Sequence, residues 1–192
     1  MTDSPSCPAF RTSGESLPRK ATRTGTYLFR HPRETARWLM DRFAVGDPIS
    51  RGLPWFSWPS IRFLSGWLRP TYSVLEFGGG GSTVFFSARA RRVVTIESDP
   101  AWQRRLEGLH LPNVRVIAGH AAHSVPDEHY DLVVVDGLLD DRLDCFHWAE
   151  NHGYTIVLDD AWRWPDLPGE RFTGPGPCRL GITQTLFYNP LK

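Results

Sequence analysis

The sequence has no long apolar run, few cysteines and almost no net charge. In its 192 residues the longest apolar runs, such as 132–135 (LVVV), are far shorter than the about 20 apolar residues of a membrane-spanning helix. There is no hydrophobic signal segment near the first residue, so we expect a soluble cytoplasmic protein. Cys7, Cys145 and Cys178 fit neither a disulfide framework nor a CxxC metal site. The net charge of +1 predicts no general attraction to nucleic acid or to a membrane.

The chain divides by composition into a tail and one domain. Residues 1–26 are rich in Ser, Thr, Pro and Arg and have few apolar anchors, which predicts a flexible tail. The remaining residues, 27–192, predict a single domain of ordinary size. Within it, 27–70 predicts helices and an aromatic loop, and 71–192 predicts a sheet.

Short runs rich in Val and Ile alternate with helix-compatible segments in the second part of the chain. Several runs are almost continuously apolar, as expected for parallel strands that are covered on both faces. The predicted strands are 74–77, 93–96, 114–117, 132–135 and 155–158, and the helices between them are 82–91, 100–108 and 141–151. A turn at 174–177 then lies between two possible strands, of which the last, near 181–188, is predicted to be antiparallel. The pattern predicts an α/β layered fold.

Four consecutive glycines separate the first predicted strand from its helix, in VLEFGGGGST (74–83). Such a run lets backbone approach a ligand closely. A P-loop would need a Lys after its last glycine, and no Lys or Arg lies between Arg69 and Arg89. The dinucleotide pattern Gly-x-Gly-x-x-Gly is incomplete, because Thr83 stands in place of its third glycine. A turn that serves only strand–helix packing is the structural alternative.

An acidic residue just before the glycines narrows the choice of ligand. Glu76, Gly78, Gly80 and Ser82 form the pattern acidic-x-Gly-x-Gly-x-small. A carboxylate here would repel a pyrophosphate, whereas it suits a ligand that carries an ammonium group. An amino acid joined to adenosine meets both conditions, since its carboxylate can meet N–H groups of the loop. We therefore predict a ligand without phosphate.

A second acid ends the next predicted strand, in VVTIESDPAW. Glu97 lies 17 residues after Gly80, close to the spacing of about 20 residues at which an acid binds ribose in dinucleotide folds. Its carboxylate can accept hydrogen bonds from both ribose hydroxyls. Capping the next helix is the other possible role, but Ser98 and Asp99 before Pro100 already supply a cap.

In this order the motifs resemble the class I S-adenosylmethionine-dependent methyltransferases over roughly residues 54–188. The likeness rests on LEFGGGGST, VTIESDPAW, NVRVIAGHAAHSVPDEHYDLVVVDG and YTIVLDDAWR. The chain looks most like small bacterial enzymes with PW…W…I…L before the glycines, here Pro54, Trp55, Trp58, Ile61 and Leu64. These motifs are specific for fold and cofactor and not for substrate.

The resemblance implies a Rossmann-like, doubly wound fold. Its sheet would have seven mostly parallel strands with the last antiparallel, and helices on both faces. S-adenosylmethionine would lie over the carboxyl ends of the first strands. The residues implied to bind it are Glu76, Gly78, Gly80, Ser82, Thr83, Glu97, Ser98, His120, Ala121 and Asp136. Family members often have Asp or Asn where this chain has His120, so the adenine contact departs from the family pattern there.

Three aspartates end the fourth and fifth predicted strands: Asp136 in DLVVVDG, and Asp159 and Asp160 in IVLDD. Carboxylates on adjacent strand ends are costly unless a positive group lies among them. The arrangement resembles that of metal-dependent O-methyltransferases, which implies Mg²⁺ bound by these three residues. Helix capping is the alternative role for such acids.

Removal of a proton from a hydroxyl acceptor would require a base. The lysine that some of these enzymes carry after the fourth strand is replaced by Leu138 and Leu139. The candidates are then Asp136, Asp140 and His147, although a surface histidine is the simpler interpretation of His147.

Together these features predict O-methylation of a small molecule, with S-adenosylmethionine as cofactor and assistance from Mg²⁺. No nucleic-acid or membrane partner is expected. Two alternatives stay open: a metal-independent N- or C-methyltransferase of the same fold, and a non-catalytic binding module that keeps the cofactor fold. The substrate cover would come from 27–60, from 161–180, or from a second subunit in a homodimer. The aromatic loop, with Trp55 and Phe56, would line the substrate or pack on the sheet.

Overall fold

The protein is represented by a computed structural model that describes residues 17–42, 47–177 and 182–190. Its helices are α1 (Leu17–Arg30), α2 (Pro32–Arg42), α3 (Pro48–Arg51), α4 (Trp58–Trp67), α5 (Gly81–Ser87), α6 (Pro100–Glu107) and α7 (Arg142–His152). Its strands are β1 (Ser73–Phe77), β2 (Arg92–Glu97), β3 (Val114–Ala118), β4 (Leu132–Val135), β5 (Ile156–Leu158), β6 (Glu170–Pro175) and β7 (Ile182–Tyr188). Within the described ranges, no helix has the length and apolar character that crossing a membrane requires.

The seven strands form one sheet with the order β3-β2-β1-β4-β5-β7-β6. Strand β1 pairs in parallel with β2 and β4, and β3 and β5 extend this parallel part. Strand β7 runs antiparallel to both of its neighbours, β5 and β6. The predicted sheet, mostly parallel with an antiparallel last strand, is confirmed.

Helices cover both faces of the sheet, which is why the central strands are apolar on both sides. Every residue of β4 and β5 is buried. On one face Leu64 of α4 and Phe86 of α5 pack with Val134. On the other face Phe146 of α7 packs with Val133. The doubly wound arrangement follows from these two apolar layers.

The strand order reverses at β1, which has β2 on one side and β4 on the other. In open α/β sheets, ligands bind outside the carboxyl ends of the strands at such a point. The glycine turn follows β1, Glu97 ends β2 and Asp136 follows β4. The topology therefore brings the predicted motifs to one edge of the sheet.

Helix α1 begins at Leu17, inside the segment whose composition predicts a flexible tail. The end of this helix is attached to the domain through Tyr27, whose hydroxyl oxygen lies 2.6 Å from Oε2 of Glu34 and 2.9 Å from the main-chain oxygen of Thr173. The composition of residues 1–26 does not indicate this helix, because Tyr27, the side chain that anchors it, lies just after them. The preceding part of that tail lies outside the described residues, and the division of the chain into tail and domain stays a prediction.

The aromatic loop contributes both to the core and to the sheet edge. Phe56 and Trp58 are buried in the cluster that covers one face. Trp55, in contrast, faces a cleft at the carboxyl ends of the strands. Further along the chain, the predicted turn at 174–177 begins later than expected, because Gly174 and Pro175 belong to β6.

Candidate functional site

The cleft lies where β1, β2 and β4 end, and it has a volume of about 330 Å³. Its lining joins the glycine turn to the loops after β2 and β4 and to the aromatic loop. The lining residues are Leu53, Trp55, Gly78, Gly79, Gly80, Gly81, Ser82, Ile96, Glu97, Ser98, Asp99, Trp102, Asp136, Gly137, Leu138 and Arg142. A second, more open cavity of about 490 Å³ lies between α3, α5 and α6, away from the strand ends. We assign the site to the first cleft, because the predicted polar groups converge there.

The glycines of the turn have different roles. Gly78 has φ of +86°, and a Cβ there would lie 2.8 Å from the main-chain oxygen of Asp136, so this position needs glycine to bring β1 and β4 together. A Cβ on Gly79 would meet the side chains of Leu106 and Thr95 at 2.6 Å. At Gly80 nothing lies within 4 Å of an added Cβ. The packing explanation thus holds for the first two glycines, and Gly80 leaves open space beside the cleft.

Glu76 is fully buried beneath this turn. Its Oε2 accepts hydrogen bonds from the hydroxyls of Thr83 (2.6 Å) and Thr95 (3.0 Å), while Oε1 has no partner in the described structure. Burial raises the pKa of Glu76 to about 7, although the nearby hydroxyls of Ser82 and the two threonines lower it. A buried polar atom without a partner is costly, so a ligand group or a water is needed at Oε1.

Glu97 holds the glycine turn to the start of α6. Its Oε2 accepts the N–H of Gly79 at 2.7 Å, and its Oε1 accepts the N–H of Asp99 at 2.8 Å. Asp99 caps α6 by accepting the N–H of Ala101 at 2.6 Å, as the sequence predicts. A carboxylate has about four lone-pair positions, so Glu97 keeps acceptor capacity towards the cleft.

The three aspartates after β4 and β5 are arranged around the guanidinium of Arg142. Nη2 of Arg142 donates to Oδ1 of Asp136 at 2.7 Å, and its Nη1 lies 3.6 Å from Oδ2 of Asp160. Burial raises the pKa of Asp136 to about 6, against the lowering effect of Arg142. Burial, followed by the charges of Asp136 and Asp160, raises the pKa of Asp159 well above its usual range.

This arrangement does not fit the predicted magnesium site at Asp136, Asp159 and Asp160. Oδ1 of Asp136 is bound to a guanidinium, and Oδ1 of Asp159 accepts the hydroxyls of Thr183 (3.1 Å) and Thr185 (3.3 Å). Within the described ranges, no group of three or more His, Cys, Asp or Glu residues is placed to hold a metal ion. The positive group among these acids is an arginine.

Four other predicted residues lie away from the cleft. His120 is exposed with its Nδ1 2.7 Å from Oδ2 of Asp141, and neither it nor Ala121 belongs to the cleft lining among the described residues. Asp140 is exposed in the turn before α7. His147 pairs with Glu150 at 2.9 Å on the outer face of α7, because helical periodicity turns Cys145 and Ala149 inwards instead. The geometry does not support roles for these four residues at the site.

The structure adds residues that the motifs do not predict. Leu53 and Leu138 form apolar parts of the lining, next to Trp55, for which lining the substrate was one of the two predicted roles. Trp102 also lines the cleft and has Arg105 over its ring. Arg142 is the most important addition. It is the first residue of α7, where the helix dipole disfavours a cation. An arginine at such a position is the feature of the sequence that could have indicated a specific role for it.

The fold is shared with solved methyltransferase structures. A candidate O-methyltransferase from Klebsiella pneumoniae has a TM-score of 0.58 and 20% identity, over 80% of this chain and 94% of that chain. An rRNA methylase from Streptococcus thermophilus has a TM-score of 0.53 and 15% identity, over 68% and 94%. The C-terminal domain of precorrin-6Y C5,15-methyltransferase from Rhodobacter capsulatus has a TM-score of 0.51 and 14% identity, over 67% and 86%. At these identities the likeness shows the fold.

No protein-family model matches the chain, and no curated protein matches it.

Proposed function

We propose that this chain, which has the fold of class I methyltransferases, transfers a methyl group from S-adenosylmethionine to a small molecule. The charge of the cleft is the observation that carries the proposal. Its lining holds three carboxylates, of Glu97, Asp99 and Asp136, against the one guanidinium of Arg142. Such a cleft repels a diphosphate and favours a ligand with ammonium and sulfonium groups.

The residues present fit this cofactor. The space at Gly80 admits its amino-acid end beside Ser82, and the remaining acceptor capacity of Glu97 suits ribose hydroxyls. Glu76 and Thr83 lie beneath the turn, and the oxygen of Glu76 that has no partner supports a donor in this region. Ser98 and Trp102 would border the adenosine end. His120 and Ala121 lie outside the lining of this cleft, so neither is assigned a contact with adenine.

When bound, S-adenosylmethionine supplies an electrophilic methyl group on a sulfonium sulfur. The chain has to orient the acceptor and receive its proton. Asp136 is the group we assign as base, because it lies in the cleft and its pKa of about 6 leaves it mostly ionised at neutral pH. Arg142 holds Oδ1 of this carboxylate in place. No step is assigned to a metal ion, since the acids do not fit one.

The acceptor that we propose is a small molecule with an apolar body and a hydroxyl group. Leu53, Trp55 and Leu138 supply apolar surface close to Asp136 in the same cleft. The alternative is metal-independent transfer to nitrogen or carbon. That reaction would depend less on Asp136 as a base. The fold does not separate small-molecule from RNA acceptors, because one of the similar structures is named an rRNA methylase.

Turnover tests the proposal. Purified protein is incubated with S-adenosylmethionine and a panel of phenols, alcohols, amines and RNA, and release of S-adenosylhomocysteine is measured. We expect release with hydroxyl acceptors, and a large loss in an Asp136→Asn variant that still binds cofactor. Cofactor binding without release for any acceptor would favour the non-catalytic binding module. Equal rates in Asp136→Asn would remove Asp136 as base.

A further inference from the structure

Arg142 is a buried arginine that donates four hydrogen bonds at the ends of two strands. It is 8% exposed. Its Nε donates to the main-chain oxygen of Gly137 at 3.0 Å, and Nη1 donates to that of Asp159 at 3.2 Å. Nη2 donates to the main-chain oxygen of Asp136 at 3.1 Å and to its Oδ1 at 2.7 Å. One side chain thus joins the loop after β4 to the end of β5.

The position of Arg142 has an electrostatic cost that its surroundings offset. A buried guanidinium is expensive unless it is paired and hydrogen-bonded. At the first position of α7 it also faces the positive end of the helix dipole. Asp136 and Asp160, at 2.7 and 3.6 Å, supply the opposite charge, and the planar fork matches the carbonyl oxygens around it.

We propose that Arg142 is an internal cation that balances and positions the strand-end aspartates in the place where the sequence predicts Mg²⁺. It is a positioning residue, and it acts on the acceptor through Asp136. The effect of Arg142 on the acceptor rests on the proposed function. Its pairing with the aspartates, in contrast, concerns the protein without any ligand.

The guanidinium and a divalent ion compete for the same oxygens. Mg²⁺ needs near-octahedral oxygen ligands at about 2.0–2.1 Å. To reach Oδ1 of Asp136 it would have to displace Nη2, and it would then lie beside a second buried positive charge. Oδ1 of Asp159 is already an acceptor for two threonine hydroxyls of β7. The site is therefore complete without metal.

The first experiment uses the wild-type chain. Thermal melting and calorimetry are followed during titration with MgCl₂ or MnCl₂, in the presence and absence of S-adenosylhomocysteine. We expect no saturable heat and no change in Tm, and we expect EDTA to leave cofactor binding and turnover unchanged. Saturable binding of either ion at millimolar concentration or below would overturn the proposal. Because S-adenosylhomocysteine is titrated separately, failure of the cofactor assignment would be seen independently.

The second experiment removes the cation. Arg142→Met leaves the carboxylates uncompensated, so we expect Tm to fall by roughly 10 °C and to recover in part with millimolar Mg²⁺. Arg171→Met is the matched control, because in the described structure Arg171 bonds to carbonyl oxygens of residues such as Ala161, Trp164 and Leu167. The control should lose stability and show no response to Mg²⁺.

A third variant covers the case in which Arg142→Met does not fold. Arg142→Lys keeps the charge and loses the fork, so it should melt below the wild type and remain insensitive to Mg²⁺. In assays it should lower kcat more than it changes the affinity for S-adenosylhomocysteine. An Arg142→Lys protein that binds Mg²⁺, or a response to Mg²⁺ in Arg171→Met equal to that in Arg142→Met, would contradict the assignment.

Discussion

Glu76 shows at the scale of one residue how a site can oppose stability. Its carboxyl group is fully buried, its Oε2 carries two threonine hydroxyl bonds, and its Oε1 has no partner among the described residues. The folded protein therefore favours the protonated form of Glu76 more than the unfolded chain does. Its contribution to stability is complete below the ordinary pKa of 4.5 and is lost as the pH rises through the folded-state pKa of about 7.

Replacement of Glu76 by Gln should remove this pH dependence. The carbonyl oxygen of Gln can still accept the bonds from Thr83 and Thr95, while the ionisation is gone. Relative to Glu76→Gln, the wild type should lose on the order of 3 kcal/mol of unfolding free energy between pH 4.5 and 8. Urea denaturation of both proteins across this range is the measurement. Parallel pH profiles would mean that Glu76 titrates normally.

Glu97 is the residue on which ribose binding depends. Glu97→Ala should weaken binding of S-adenosylhomocysteine by roughly 1–3 kcal/mol, the size of a lost charged hydrogen bond. Calorimetry gives the affinity, and Glu107→Ala, at an exposed position of α6, is the control. Glu97 also accepts the N–H groups of Gly79 and Asp99, so Glu97→Gln should be measured as a milder change. An unchanged Kd in both variants would remove Glu97 from the ribose site.

The glycine turn is the element that sets the shape of the site, and its glycines can be separated by mutation. Gly78→Ala should destabilise the fold by roughly 2–4 kcal/mol, because φ is +86° and the new Cβ would lie 2.8 Å from the main-chain oxygen of Asp136. Gly80→Ala should leave the unfolding free energy nearly unchanged and weaken cofactor binding, since its Cβ enters open space beside the cleft. Denaturation and calorimetry on both variants test this contrast. If Gly80→Ala binds cofactor as well as the wild type does, then the open space at this glycine is not used by the ligand.

The strands of the sheet could be predicted because their cores are continuous apolar runs. Strand β4 occupies 132–135, as the sequence predicts, and β5 differs from the prediction by one residue at its start. Helix α3 was not predicted, since four residues carry no periodicity. A strand before the turn at 174–177 was predicted without bounds, because Gly and Pro residues break the pattern at its end and its length is set by pairing with β7. Local patterns locate strands, whereas long-range pairing decides their ends.

The site could be predicted only in part, for the same reason. Glu76, Gly80 and Glu97 follow a local pattern, and the fold brings them to one sheet edge. The aspartates were predicted with the wrong positive partner, because the guanidinium of Arg142 reaches the end of β5 from a different segment of the chain. Likewise, His147 belongs to the outer face of α7, which becomes evident only when its inner face is known.

At the scale of the whole molecule, two packed helical layers hold a negatively charged cleft at the reversal point of the sheet. The aromatic loop closes one side of this cleft through Trp55, while its neighbour Phe56 anchors the loop in the core. A second subunit as part of the cover stays a prediction. Each role proposed for the cleft residues requires that the cleft binds an adenosyl amino acid that has no phosphate.

A crystal structure of the protein with S-adenosylhomocysteine, grown in the presence of Mg²⁺ and ADP, tests this claim most directly. We predict density for the adenosyl amino acid across the ends of β1 and β2, with its ribose at Glu97 and the guanidinium of Arg142 still bound to Asp136. A diphosphate against the four glycines, with the adenosyl compound absent from the cleft, would contradict the account.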